Sequence, residues 1–177
     1  IYHMQKVPCP GTGDVNGDGG VSILDIVTLV NCVLAQACLD LYNACAADMN
    51  DDDGFNVLDI VNLANCILSG AGADGDCSAR VDDASHSELI IEDNMVSIEA
   101  DGFIGGVQMT LQHGDDFSIK MTDRSLIADY LTNGNETRLL VITPETDELF
   151  SYSGDFEISE IIVANSYAEI SASLPLA

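Results

Sequence analysis

"DVNGDGGVSILD" runs from Asp14 to Asp25 and "DMNDDDGFNVLD" from Asp48 to Asp59, one acidic phrase written twice in a single register. Superposition aligns Asp14 with Asp48, Asn16 with Asn50, Asp18 with Asp52, Gly20 with Gly54, Ser22 with Asn56 and Asp25 with Asp59. Oxygen-bearing side chains therefore recur at positions one, three, five, nine and twelve of each stretch. A loop spaced this way can wrap a cation that wants six to eight oxygens. The first three side chains contribute, the carbonyl at position seven (Gly20, Gly54) adds another, position nine acts directly or through water, and the last carboxylate closes the shell. An all-oxygen donor set selects Ca²⁺ over transition metals, and the number of protein ligands selects it over Mg²⁺. Two Asx-rich turns that merely cap helices would explain single Asp and Asn residues but not the doubled spacing. The expectation is two Ca²⁺ ions.

Each loop feeds an apolar run at helical spacing, Asp25 to Leu34 and Asp59 to Leu68, and a shorter helical stretch around Asp40 to Ala47 joins the two units. Beyond them the period changes. Val107, Met109 and Leu111 alternate with polar neighbours as a half-buried strand requires, while "RLLVIT" at Arg138 to Thr143 is apolar on both faces and suits a central strand. Turns are expected at Asn133-Gly134 and Gly154-Asp155. The fold class expected is α+β: a small helical double-loop module followed by an antiparallel β-sandwich of seven or eight short strands. The organisation reads as an extended arm over 1–8, a cysteine-bearing module over 9–77, a Gly/Ser/Asp-rich linker over 78–87 and the sandwich over 88–177.

With 30 Asp and Glu against five Lys and Arg, the net charge of −25 excludes nucleic-acid binding, which needs a basic face. No apolar run reaches the length of a membrane span, and the start "IYHMQKV" reads as that of a mature, processed chain. All six cysteines, Cys9, Cys32, Cys38, Cys45, Cys66 and Cys77, lie in the first 77 residues. An even count in one small module favours disulfides and an extracellular location. Zinc is disfavoured because no CxxC pair and no interleaved His occur. Asn135-Glu136-Thr137 is a glycosylation sequon that agrees with secretion.

On these residues, the stretch 14–69 resembles a dockerin module, the paired loop-helix calcium domain through which secreted proteins bind cohesin β-sandwiches. The resemblance implies two departures. Position six is Gly19 in the first loop but Asp53 in the second, and the cysteines are unusual for dockerins. It also implies that positions ten and eleven, Ile23-Leu24 and Val57-Leu58, contribute to partner recognition, although both apolar pairs read equally well as core. If the two helices lie antiparallel, Cys9 suits Cys66, Cys32 suits Cys45, and Cys38 is left for Cys77. The strands "GGVQMTLQH", "RLLVIT" and "GDFEISEIIVANSYAEISAS" are similar in order and character to those of cohesin-like or Ig-like sandwiches.

No catalytic constellation emerges. His3, His86 and His113 are isolated from any nucleophile pattern, "GFIGG" at Gly102 to Gly106 lacks the Lys and Ser/Thr of a phosphate loop and reads as a bulge or a tight approach, and the carboxylates Asp115, Asp116, Glu145, Asp147 and Glu148 read as solvated turns. The expected function is a non-catalytic, extracellular assembly protein. Its partner is another copy of itself, giving a head-to-tail homo-polymer, or a separate cohesin-like sandwich to which it anchors a larger enzyme. A small carbohydrate-binding or hydrolytic unit in the sandwich is the weakest reading.

Overall fold

In a computed structural model the described residues are 13–69, 80 and 82–175. Helix α1 spans Ile23–Ala35 and α2 spans Val57–Leu68, joined through two 3₁₀ turns, Cys38–Asp40 and Ala44–Ala47. Nine strands follow: β1 His86–Glu92, β2 Met95–Ala100, β3 Gly106–His113, β4 Ser118–Met121, β5 Ser125–Asn133, β6 Glu136–Pro144, β7 Glu148–Ser153, β8 Phe156–Ala164 and β9 Glu169–Ser173. The α+β class holds, with more strands than the seven or eight expected. The surplus comes from short pieces such as β4 and β9, whose alternation spans only four or five residues. The first strand opens at His86, inside the segment read as linker. The arm over 1–8 lies outside the described residues.

The strand order is β4-β7-β2-β1-β9-β8-β3-β6-β5. Every ladder is antiparallel except β1 with β9, which pairs over His86 to Glu88. Strand β9 also meets β8 at Val163 and Ala164, so it bridges the two layers of the sandwich. The first hairpin turns on Asp93 and Asn94, both at positive φ, which matches the right-handed twist of its strands.

Strand β6 shows why its central run, Leu139 to Ile142, is apolar on both faces. Leu139 and Val141 enter the core between the layers with Val107, Met109, Leu111, Val96 and Phe150. Leu140 and Ile142 point the other way, into a second core with Ile26, Leu29, Val30, Ile60, Val61 and Leu63 of the helices. The molecule is thus three layers deep: two helices, the β8-β3-β6-β5 layer, and the β4-β7-β2-β1 layer. Burial on both sides explains the absence of polar alternation in β6.

Candidate metal loops and the docking face of the helical module

The two acidic loops fold alike. In the first, the Asp14 carboxylate accepts the N–H groups of Asp18 (3.1 Å) and Gly19 (3.0 Å), and Asp18 Oδ1 accepts Gly20 N–H at 3.0 Å. In the second, Asp48 accepts from Asp52 (3.1 Å) and Asp53 (3.0 Å), and Asp52 Oδ1 accepts Gly54 N–H at 2.8 Å. Asn16 Nδ2 donates to Asp18 Oδ2, and Asn50 Nδ2 to Asp52 Oδ2, at 3.2 and 2.9 Å. Positions one, three and five are therefore gathered in each loop. The tight path requires left-handed backbone at positions four and six. Gly17 and Gly19 take φ of 75° and 91°, while Asp51 and Asp53 take 57° and 63°. Aspartate tolerates this region better than most residues, which lets the second loop close without glycine.

Positions nine and twelve serve the helices as well. Ser22 caps α1, its hydroxyl accepting Leu24 N–H, while Asp25 Oδ2 accepts Ser22 N–H at 2.8 Å. Asn56 and Asp59 repeat this capping box on α2. Asp25 and Asp59 are fully buried. Asp25 Oδ1 also accepts Asn16 N–H, and Asp59 Oδ1 accepts Met49 N–H at 2.8 Å, so each carboxylate ties the start of a loop to its end. Burial pushes the Asp59 carboxyl up to about 6, against the lowering effect of its backbone donors.

Among the described residues no three His, Cys, Asp or Glu side chains form a metal cluster by themselves. The donor set of each loop mixes aspartates with Asn, Ser and a glycine carbonyl, which suits a hard cation. Each loop closes on a fully buried carboxylate, Asp25 or Asp59, and with that donor set the residues present fit Ca²⁺.

Cys32 is joined to Cys38, with Cα atoms 4.7 Å apart. This corrects the expected Cys32–Cys45 and Cys38–Cys77 pairs. Helix α1 stops at Gln36, whose left-handed conformation (φ 53°) reverses the chain and returns Cys38 to the Cys32 side. Cys45 and Cys66 are also disulfide-bonded. Cys9 and Cys77 lie outside the described residues, and with them the Cys9–Cys66 pairing.

The two apolar pairs part company. Val57 is fully buried and Leu58 half-buried, whereas Ile23 and Leu24 are 43% and 58% exposed. The cause is the sandwich, against which α2 lies. Val57 N–H donates to Gln108 Oε1 of β3 at 2.9 Å, and Val57 and Val61 stand over Gly105 and Gly106. A Cβ at residue 106 would come within 2.7 Å of Val57 Cγ2, so the "GG" of "GFIGG" is the close approach of a helix. Sequence reasoning missed Gln108, whose only signal was a polar residue at an outward position of an alternating strand. Asn135 is exposed in the β5–β6 turn and donates to the His113 carbonyl at 2.8 Å.

Residues 12–68 match the dockerin type I domain. Domains of this family are non-catalytic and bind calcium. No curated protein matches the chain. Two solved structures are similar to it: a non-cellulosomal cohesin from the archaeon Archaeoglobus fulgidus (13% identity, 52% of this chain and 82% of that one, TM-score 0.34) and the cohesin module of a family 33 glycoside hydrolase from Clostridium perfringens ATCC13124 (10% identity, 52% of this chain and 99% of that one, TM-score 0.32). In this chain the dockerin-like module and the β-sandwich share one apolar core. No helix among the described residues is long and apolar enough to cross a membrane.

Proposed function

We propose that this chain is a secreted, non-catalytic assembly protein in which the dockerin module seats on the β8-β3-β6-β5 face of a sandwich, its own or a second copy's, so that copies link head to tail into a filament. One observation carries the reading: α2 lies on that face, Val57 over Gly106 with its N–H on Gln108. A module and an acceptor face that fit within one chain fit equally between chains, and such a heterologous contact propagates unless it closes into a ring. Two Ca²⁺ ions stabilise the module, one held by Asp14, Asn16, Asp18, the Gly20 carbonyl, Ser22 and Asp25, the other by Asp48, Asn50, Asp52, the Gly54 carbonyl, Asn56 and Asp59. The ion supplies charge that lets the gathered carboxylates ionise together. The disulfides suit an oxidising, extracellular setting, and Asn135 is a glycosylation candidate there.

A second reading is favoured by the exposed Ile23-Leu24 face: the module anchors a larger secreted enzyme to a separate cohesin-type sandwich. Light scattering with electron micrographs of the same sample separates the two. Self-assembly predicts species heavier than the 18.8 kDa chain in millimolar Ca²⁺ that dissociate on chelation. A calcium-loaded monomer at every concentration overturns self-assembly and leaves the anchoring role.

A further inference from the structure

The two repeats are written alike but are not used alike. Val21 aligns with Phe55, Ile23 with Val57, Leu24 with Leu58 and Val27 with Val61. Val57 and Val61 are buried, while Val27 is 41% exposed beside Ile23 and Leu24. The repeat thus offers the same kind of apolar face twice, and the sandwich covers one of them.

The acceptor explains the choice. A Cβ at residue 106 would also lie 2.9 Å from Val61 Cγ2 and 3.3 Å from Ile142 Cδ1, and one at residue 105 would lie 2.6 Å from Val61 Cγ1. The valine methyl groups fill a notch that exists only because both residues are glycine. Ile23 carries one methylene more than Val57. In a close-packed contact walled by Ile142, that addition forces a shift of the helix or a strained rotamer. Position eight adds to the discrimination. Phe55 forms part of the wall of the cleft between module and sheet with Gln108, Thr110, Arg138 and Ile162, and a valine there would remove the ring's contacts from that wall. The polar contact is one-sided as well. Val57 N–H has Gln108 Oε1, and among the described residues no acceptor faces Ile23 N–H.

We infer that the Gly105–Gly106 notch, with Gln108 beside it, selects the second repeat over the first, giving the module a single orientation on its sandwich and leaving the Ile23-Leu24-Val27 face turned outward. The inference rests on the proposed docking and deepens it. It holds whether the sandwich belongs to the same chain or to a second copy.

Amide exchange of the full chain in saturating Ca²⁺, read by nuclear magnetic resonance, tests it. Val57 N–H is expected to exchange at least about tenfold more slowly than Ile23 N–H, since a docked amide opens less often than an exposed one. Exchanging the distinguishing residues (Val21→Phe, Ile23→Val, Phe55→Val, Val57→Ile) is expected to reverse that order, and an unchanged order overturns the selection. Gly106→Ala alone should bring Val57 exchange close to that of Ile23, with Val57→Ala and Val61→Ala in the same chain restoring slow exchange at residue 57. Calcium binding by the same samples reports that the variants fold, so a folded Gly106→Ala chain with wild-type exchange also overturns the notch. A wild type in which Val57 is no slower than Ile23 removes the docking itself, and the proposed function with it.

Discussion

Asp53 carries the clearest residue-scale consequence of the duplicated loop. It holds φ of 63° where the first loop has Gly19, so an L side chain sits in a region that costs it conformational energy. Its carboxylate is exposed, and its backbone N–H, which donates to Asp48 Oδ2, survives substitution. Asp53→Gly is expected to stabilise the calcium-loaded chain by up to about 1 kcal/mol, read as a rise in thermal midpoint. A fall would mean that the lost charge outweighs the relieved backbone. Asp101 gives the pH dependence. The Ser85 hydroxyl and the N–H groups of His86 and Ser85 bond its carboxylate and hold it down to about 2, below the usual 3.8. A depressed carboxylate contributes stability that is present above the unfolded value and lost as pH falls through the folded one. The difference in thermal midpoint between wild type and Asp101→Asn should therefore be constant above about pH 5 and shrink between about pH 4 and pH 2. A difference undiminished at pH 2 would assign the effect to packing.

At the scale of elements, strand β6 separates the two cores. Leu139 and Leu140 are adjacent and both fully buried, yet one faces the interior of the sandwich and the other the helices. Each truncation to alanine should cost about 2–5 kcal/mol, because a cavity opens in a packed region. The two should differ in what they loosen. Leu140→Ala should speed amide exchange in α1 and α2 with little change in β2 and β7, whereas Leu139→Ala should do the reverse; identical patterns would contradict the three-layer arrangement. This two-sidedness was legible in "RLLVIT", as were both loops and both helices, because each is encoded by local period and spacing. The partner of the second side was not. Val57 and Gln108 are 51 residues apart, and no pattern within either segment names the other. Ile23-Leu24 and Val57-Leu58 have the same apolar character in sequence, so only the fold decides which pair is core. The Cys32–Cys38 bridge was hidden for a related reason, since it depends on a left-handed residue at Gln36 that no glycine announces.

For the whole molecule, the governing facts are a net charge of −25 and a core shared between the two modules. Like charges repel within a compact chain, so it is least stable at low ionic strength without divalent cations. Calcium acts on this in a way monovalent salt cannot. Screening at about 0.1 M salt reaches only charges more than about 10 Å apart, whereas the carboxylates of each loop converge far more closely. A ligand held only by the folded state adds about 2.7 kcal/mol when its concentration is 100 times its dissociation constant. Because Leu140, Ile142 and Ala164 of the sandwich pack in one cluster with the helices, that stabilisation should pass into the β layers. In 0.15 M NaCl, millimolar Ca²⁺ is expected to give one unfolding transition reported alike by helical and sheet signals, with a stoichiometry of two ions by calorimetric titration. Chelation should split it, the helical signal melting first and the sandwich later, and added NaCl should not rejoin the two. A sandwich transition indifferent to Ca²⁺ would mean that the modules fold as independent bodies, and the contact at Val57 and Gly106 would then be too weak to hold copies together.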